Sequence, residues 1–560
     1  MKKVWIWIIA IVALFIIVLA GVSVYYSLHY KPILKKKLTQ YVAGSSDSLY
    51  RLSYDDLRIN LLTGTATLAN AKLESDSLIY KNLVRRRKAP KSRFDIGISA
   101  LTFNGFSWWD FLIRRQLHIS ELRIDTAHIH LFTSAITPRD TDRQPKTLYQ
   151  TIKGTFKAVH VERIDMVDVN FQSSKTQDNG QRESIKIRNV RLRATDFLVN
   201  ATTESDTNRT YYAKEIDVRI PKWYHQISGS VYAVSFDNVH VNTKEETASL
   251  TNLKIAPTIS KQAYFKNDKE NKALIFLRMD SVAVGGFKAQ QLIRHKRLYS
   301  KEIYLKKGIA SFHKDKRFQK DNVSKIGQAP HQQIMKMSQS ILFDTVFVKG
   351  VDIVYNQFSD KYLKEGSIAF NNVRGEITNV TNDTTCLVKN RYMRADLDAD
   401  LMGTGLLQAR LYFDMLSKTG HHGYKGTLGP MEAPAFNRIL RPLLNIEIGS
   451  GHIRNIRFDM EGTDHKNWGT FYFDYDNLKV NLFHPPAAGK NRKKKKILTF
   501  LVNQVLVNDS NPDANEVYHV GKVDYTRVPE YSHFKTIWKS LFEGIAQCVG
   551  LNPKYIPDSG

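Results

Sequence analysis

The chain has 560 residues, of which 42% are hydrophobic, and its excess of lysine and arginine gives a formal net charge of +28. The length suits two to four ordinary domains or one extended body. The composition excludes a disordered chain, and it contains too few apolar residues for a protein with many membrane spans. So large a positive charge predicts a polyanionic neighbour, such as nucleic acid, an anionic lipid surface or an acidic glycan.

An uncharged apolar run, Val4–Val24, opens the chain. A helix of this length extends for about 30 Å, which matches the hydrocarbon thickness of a bilayer. Aromatic residues flank both of its ends, as is typical of a membrane interface. We therefore predict a membrane anchor over residues 1–30, with Val4, Trp5, Trp7, Leu14, Leu19, Val24, Tyr25 and Tyr26 in contact with lipid. A segment that targets the chain to a membrane argues against nucleic acid as a partner.

The alternative is a cleaved signal peptide with a cleavage site near Ala20. The apolar run is longer than the roughly 7–15 residues of a signal sequence, which favours a retained anchor. Lysines flank the run on both sides in similar numbers, but the short N-terminal tail favours export of residues 31–560. Residues 31–46 have an apolar and a basic helical face, which predicts either a helix on the lipid headgroups or a simple stalk.

Alternation with a period of two dominates from residue 47 to residue 330. Most repeats contain two apolar–x–apolar pairs separated by a short break or phase shift, as in residues 119–132, 160–172 and 344–356. Helical periods are almost absent between residues 49 and 430. Many short strands without intervening helices predict a mainly β fold built on an antiparallel sheet.

The C-terminal third combines strands with short helices. Residues 331–484 predict a β region with a short helix at 434–446, and residues 485–533 contain a basic loop and terminal strands. The last segment, 534–550, predicts an amphipathic helix that stops at Gly550. Its apolar face makes it a candidate membrane-contact helix, through Phe534, Ile537, Trp538, Leu541, Phe542 and Ile545.

The sequence contains no arrangement of residues that predicts catalysis, a cofactor or a metal. Asp396, Asp398 and Asp400 alternate along one strand, which indicates a solvated face rather than a calcium loop. No HExxH motif accompanies the histidines, and no Gly-x-Ser-x-Gly motif is present. The two cysteines, Cys386 and Cys548, could form one disulfide or remain as two thiols.

An antiparallel sheet with one apolar face must cover that face, and this sequence predicts few helices to do so. The sheet could form a sandwich, a closed barrel, or an open trough that shelters acyl chains. Periodicity alone favours the sandwich. If the trough is correct, we expect its lining to include Leu122, Ile124, Ile129, Leu131, Ile164, Met166, Val169, Val346, Val348, Val351 and Ile353, for which a closed core is the competing assignment.

Two blocks carry a family resemblance. Residues 54–76, YDDLRINLLTGTATLANAKLESD, follow the anchor, and residues 402–483 contain Gly451-x-Ile453 and then Tyr475-x-x-Leu478 before the last strand. In this pattern the chain resembles the AsmA-like envelope proteins, a group that includes TamB. The resemblance implies a single-pass inner-membrane anchor, a periplasmic elongated and curved sheet that forms a β-groove, and a role in phospholipid movement or outer-membrane maintenance.

Two functions of different classes follow. The first is an apolar β-groove that binds the acyl chains of phospholipids and assists their transport between the inner and outer membranes, with an anionic membrane surface as a further partner. The second is a scaffold or assembly factor for outer-membrane proteins, which would bind clients at its strand edges. A tethered hydrolase would need paired acidic residues in a cleft, and none stand out in the sequence.

Overall fold

A computed structural model describes residues 39–551, except for 41, 45, 47, 61–62, 87–88, 108–109, 111–113, 135–146, 155, 177–181, 321–322 and 484–507. The predicted anchor at residues 1–30 therefore lies outside the described residues, as do most of 31–46 and the lysine run at 489–496. Within the described part of the chain, no helix combines the length and the apolar character needed to cross a membrane.

The described residues form two compact units. The first unit contains the residues up to Ser228 together with Phe236–Ser249. The second unit contains Gly229–Ser235 and the residues from Leu250 onwards, so the predicted boundary at residue 330 falls inside it. Two strands contribute residues to both units, namely β9 (Tyr232–Asn242) and β10 (Thr247–Pro257).

The first unit contains strands β1 (Tyr50–Ser53), β2 (Asp56–Asn60), β3 (Thr65–Ser75), β4 (Ser92–Asn104), β5 (Gln116–Thr133), β6 (Ala158–Thr176), β7 (Arg182–Val199) and β8 (Glu215–Gln226). It also contains helices α1 (Ser77–Arg85) and α2 (Leu148–Ile152). Residues 39–40 and 42–44, which precede these elements, are also helical.

Pairing in the first unit is mostly antiparallel. Strands β1 and β2 both pair with β3, and β3, β4 and β5 follow in order. Strand β6 then pairs in parallel with β5, and antiparallel pairing resumes through β7 to β8. A parallel pair needs a long crossover, and here the crossover contains α2. The mainly β prediction is confirmed, and the sheet is mostly antiparallel as expected, with this parallel pair as an exception.

The breaks in the sequence repeats correspond to residues in the left-handed backbone region. Asn70, Thr126, Asp168 and Asn189 have φ values of 50°, 48°, 54° and 55° on β3, β5, β6 and β7. Between β6 and β7 the strand register also shifts next to Asp168 and Asn189. One extra residue would turn the following side chains to the other face of the sheet. The break therefore lets both apolar pairs of each repeat point into the same core.

Thr126 is the residue least suited to this geometry, because its branched Cβ crowds the backbone at positive φ. We expect Thr126→Asn to raise the free energy of unfolding of the first unit by about 0.5–1 kcal/mol, since asparagine tolerates this region. Urea unfolding followed by hydrogen exchange in β5 measures the change. Thr345→Asn, at an ordinary strand position of the second unit, serves as the control and should not stabilise its strand.

The second unit contains most of the remaining strands. They are β11 (Leu274–Gly285), β12 (Arg297–Asp315), β13 (Ser340–Phe358), β14 (Glu365–Thr381), β15 (Tyr392–Leu401), β16 (Gly405–Asp414), β17 (His422–Leu428), β18 (Met431–Glu432), β19 (Ile446–Gly462), β20 (Lys466–Leu482) and β21 (Val520–Thr526). Consecutive strands from β11 to β17 pair in order, and β17 is followed by β19, β20 and β21. Only the β12–β13 pair is parallel among these, a second exception to the antiparallel prediction.

Short helices connect these strands. They are α3 (Lys261–Asn267), α4 (Ala289–His295), α5 (Pro330–Met335), α6 (Thr384–Leu387), α7 (Asn437–Leu444) and α8 (His533–Cys548), together with 3-10 turns at Lys316–Phe318 and Ala433–Phe436. Helix α7 lies within the predicted range 434–446, and α8 occupies most of the predicted range 534–550. Cys386 and Cys548 are both free thiols.

Candidate functional site

The apolar face of the sheet is filled in the first unit. Ile119 is fully buried, and Leu148 and Phe156, which lie outside the strands, are 1% exposed in the same hydrophobic core. Seven of the eleven residues that the sequence offered as groove lining lie in or against this core. Leu131 is half-buried against it, and the others are buried, namely Leu122, Ile124, Ile129, Ile164, Met166 and Val169.

The second unit has a different apolar face. Two rows of side chains cross β11 to β16 in register. One row is Val284, Ile303, Val346, Ile377, Ala395 and Leu411, and the next is Val282, Leu305, Val348, Gly375, Leu397 and Ala409. We call these twelve residues the apolar strip. Six strands with a spacing of about 4.8 Å make the strip about 24 Å long.

Burial distinguishes the apolar strip from a filled core. All of its members except Ala395 and Val348 are half-buried rather than buried. The fully buried cluster beside them is small, and it consists of Met279, Val348, Val351, Val373 and Ala399. The strip is therefore apolar surface that the described residues cover only in part.

Helices α7 and α8 cover the two ends of this face, and Ile377 and Leu411 of the strip also pack in a cluster with residues of α5 and α6. Helix α7 lies against β14, where a Cβ on Gly366 would come within 2.9 Å of the Leu443 side chain. Helix α8 packs on β20 and β21. A larger hydrophobic core forms beneath α8, around Phe471, Phe473 and Tyr475. These ends hold the sheet in shape without filling the strip between them.

Gly375 sets the floor of the strip. Its φ is 140°, and a Cβ at this position would collide with the Asp396 carbonyl oxygen. Ala409 follows two strands away in the same row. The row is therefore shallow at Gly375, between Val348 and Leu397, and again at Ala409.

The sequence prediction found part of this strip. Val346 and Val348 belong to it, while Val351 is buried beside it and Ile353 is half-buried against the same cluster. It missed the strip residues on neighbouring strands, which include Val282, Leu305, Ile377 and Leu397. The alternation of residues 301–305, Lys-Glu-Ile-Tyr-Leu, is the signal that would have identified Ile303 and Leu305.

The other face of the same strands is polar and carries charges of both signs, with Lys306, Lys349, Arg374 and Arg410 beside Glu302, Glu376, Asp396 and Asp398. Lys306 and Lys349 pair in register, and their ammonium groups lie 5.7 Å and 4.9 Å from the centre of the Tyr304 ring. That ring stacks on Phe347 with a centroid separation of 4.9 Å. The strands therefore separate an apolar face from a polar face on which lysines and aromatic rings lie together.

The candidate membrane-contact helix, α8, packs on the sheet with its small residues. Thr536, Ser540 and Gly544 are buried, and a Cβ on Gly544 would lie 2.5 Å from the Phe471 Cβ. The apolar residues singled out from the sequence flank this contact. Phe534 is 66% exposed, Phe542 is half-buried, and Ile537, Trp538, Leu541 and Ile545 are half-buried against the core.

Three buried histidines meet where α5, β17 and α8 converge. His331, His422 and His533 are 1%, 2% and 5% exposed. The rings of His422 and His533 lie 4.4 Å apart, and those of His331 and His422 lie 6.4 Å apart. Burial lowers the pKa of each histidine, to about 4 for His422. Within the described residues, no group of three or more metal-ligating side chains could hold an ion.

The carboxylates of β15 have arginine neighbours. Asp396 lies 3.4 Å from Arg410, and Asp398 and Asp400 lie 4.0 Å and 3.8 Å from Arg374. These pairs form a salt-bridged strand face. The candidate functional site is the apolar strip on β11 to β16. No protein-family model matches the chain, and no curated protein shows a significant similarity to it.

Proposed function

We propose that this protein binds the acyl chains of lipids along the apolar strip. The half-buried state of the strip is the observation that carries the proposal. An ordinary core would bury these residues as completely as the first unit buries its own. A continuous apolar surface that its own chain covers only in part is a feature of sites with an apolar occupant.

The physical driving force is large. The transfer of a lipid tail of about fifteen carbons from an apolar environment into water costs roughly 12 kcal/mol, at about 0.8 kcal/mol per CH₂. A strip about 24 Å long shields one side of such a tail. The lipid headgroup can stay in water at the open side. The protein would therefore lower the barrier for lipid to cross an aqueous space, without catalysis.

The N-terminal apolar run and the resemblance to AsmA-like proteins indicate where in the cell lipid binding would occur. We propose that the anchor holds the chain in the inner membrane and that the bulk of it lies in the periplasm. There it would assist phospholipid transport to the outer membrane. The excess positive charge supports contact with anionic headgroups. A scaffold for outer-membrane proteins is the alternative function.

Photo-crosslinking on the full-length protein in cells tests the proposal. A photoreactive amino acid at position 346 faces the apolar strip, and one at position 345 faces the opposite side of the same strand. We expect lipid adducts at position 346, identified by mass spectrometry, and none at position 345. Protein adducts at 346 in place of lipid would favour the scaffold and contradict lipid binding.

A matched pair of substitutions gives an independent measurement. Val346→Asp places a carboxylate in the strip, and Thr345→Asp adds the same charge on the opposite face. We expect the amount of lipid that co-purifies with the protein to fall at least about tenfold for Val346→Asp, because a charge is costly among acyl chains. Equal lipid content in both variants, with intact β13 hydrogen exchange, would rule out the strip as the binding surface.

A further inference from the structure

A cleft of about 710 Å³ lies on the first unit, on the face of the sheet opposite its core. Its side chains belong to β3, β4, β5, β6 and β7, and they alternate with the buried core residues of those strands. All five strands are paired with their neighbours. The cleft is therefore a depression in the middle of a sheet rather than a free strand edge, which excludes binding by strand addition.

Two rows of polar residues form the cleft. In the first row, Lys72 is registered with Gly97, Gly97 with His128, and His128 with Asn170. Phe171 pairs with Ile187 between these antiparallel strands, which places Arg188 beside Asn170. Arg188 therefore ends the row. The five strands have a spacing of about 4.8 Å, so this row is about 19 Å long.

The second row runs parallel to the first and is displaced from it by two residues on each strand. Asp95 is registered with His130, His130 with Gln172, and Gln172 with Lys186. Glu74 begins the row beside Asp95 on β3. The two rows place cationic, amide, imidazole and carboxylate groups side by side, with no side chain at Gly97 to fill the floor.

The polar groups divide into fixed and available ones. The Asp95 carboxylate accepts hydrogen bonds from the Ser75 amide and hydroxyl, at 2.8 Å and 2.7 Å. The His130 Nε2 lies 2.9 Å from the Ser174 hydroxyl. By contrast, Lys72, Lys186 and Arg188 have no ion-pair partner among the residues that the structure describes. Three cations therefore face two carboxylates, Glu74 and Asp95, and the cleft has an excess positive charge.

We propose that this cleft binds a short acidic oligosaccharide. Sugar hydroxyls both donate and accept hydrogen bonds, which matches the mixture of amides, imidazoles and carboxylates along the two rows. The acid groups of such a chain would pair with Lys186 and Arg188 at one end of the rows. The length of the rows suits several linked sugar rings rather than a single anion.

Other ligand classes fit these rows less well. Single-stranded nucleic acid sites stack bases mainly on phenylalanine, tyrosine and tryptophan rings, and none of these three residue types belongs to either polar row. A phosphate backbone would also meet Glu74 and Asp95. The proposal does not depend on lipid binding, because the cleft and the apolar strip belong to different units.

Calorimetry with full-length protein and tetragalacturonate, an acidic oligosaccharide, tests the proposal. We expect binding of tetragalacturonate and none of maltotetraose, its neutral counterpart in length. The double variant Lys186→Gln/Arg188→Gln should weaken the affinity at least tenfold. The control Lys153→Gln/Lys157→Gln removes the same charge from exposed residues of the first unit outside the cleft and should change the affinity less than twofold.

Three results would overturn the proposal. One is no binding of tetragalacturonate at millimolar concentration. Another is an equal loss of affinity in the control variant, which would indicate attraction by net charge alone. The third is tighter binding of a single-stranded DNA oligonucleotide that depends on Lys186 and Arg188, which would assign the cleft to nucleic acid. Lipid crosslinking at position 346 reports on the other unit, so the two proposals can fail separately.

Discussion

Replacing Arg527 by methionine is expected to lower the free energy of unfolding of the second unit by about 3–5 kcal/mol. The guanidinium group and the Asp464 carboxylate form an ion pair at 3.4 Å, with side chains that are 1% and 7% exposed. Methionine keeps much of the side-chain volume but removes the charge. The Asp464 carboxylate would then be a buried charge without its counter-ion, which is the costly outcome.

Arg527 also joins three separate parts of the chain. It donates hydrogen bonds to the carbonyl oxygens of Lys325 and Tyr531, each at 2.8 Å. Asp464 in turn accepts a hydrogen bond from the Gln332 side-chain amide at 2.7 Å, at the start of α5. The loss of one side chain would therefore release the segment before α5, the β19–β20 turn and the segment before α8 together.

Hydrogen exchange of β20 amides in urea measures this effect in the full-length protein. The control is Arg410→Met, which removes an arginine whose side chain is 84% exposed and pairs with Asp396. We expect this control to change the free energy of unfolding by less than about 0.5 kcal/mol. Similar small losses in the two variants would show that the buried pair does not hold the three segments together.

Alternation in the sequence predicts the strands because a period of two follows directly from pleated geometry. It also predicts the breaks, which fall at residues such as Thr126 and Asn189. It does not predict the parallel pairs, since a strand alternates in the same way whichever direction its neighbour runs. The direction at β5–β6 and β12–β13 depends on the long crossovers that precede β6 and β13.

Periodicity also places Val346 and Leu122 on apolar faces, but it cannot tell an open face from a filled one. That difference depends on what lies over each residue. In the first unit, Leu148 and Phe156 from the crossover after β5 help to fill the core. In the second unit, α7 and α8 cover the ends of the face, and α5 and α6 pack against Ile377 and Leu411. Such coverage depends on tertiary packing between segments far apart in the sequence.

Acid is expected to destabilise the second unit through its buried histidines. The folded pKa of His422 is about 4, against an ordinary value of 6.5, because burial disfavours the charged ring. Above pH 6.5 the imidazole is neutral in both states. Below that pH the unfolded chain takes up a proton that the folded chain does not, so the free energy of unfolding falls as the pH decreases.

For His422 alone the loss amounts to about 2 kcal/mol at pH 5 relative to pH 7.5. His331 and His533 act in the same direction, since burial lowers the pKa of each. The charged groups around them are Asp464 and Asp414, which raise the pKa of His331, and Arg527, which lowers that of His533. The desolvation of three rings outweighs the attraction of the two carboxylates.

His331→Phe separates this effect from general acid denaturation. Neither ring nitrogen of His331 has a hydrogen-bond partner among the described residues, and the ring lies 5.2 Å from that of Phe413. A phenyl ring can occupy the site without two unpaired polar atoms, so we expect equal or greater stability at pH 7.5. We also expect a smaller loss between pH 7.5 and pH 5 than in the unmodified protein, measured by urea unfolding.

The comparison depends on an exposed histidine as the control, because every carboxylate in the chain also responds to acid. His295, at the end of α4, is exposed, and His295→Gln should leave the acid sensitivity unchanged. If His331→Phe retained the full loss of stability at pH 5, the folded protein would have to accept a proton at this site as readily as the unfolded chain. Water would then reach the ring, and the histidines would not form part of a dry core beneath α8.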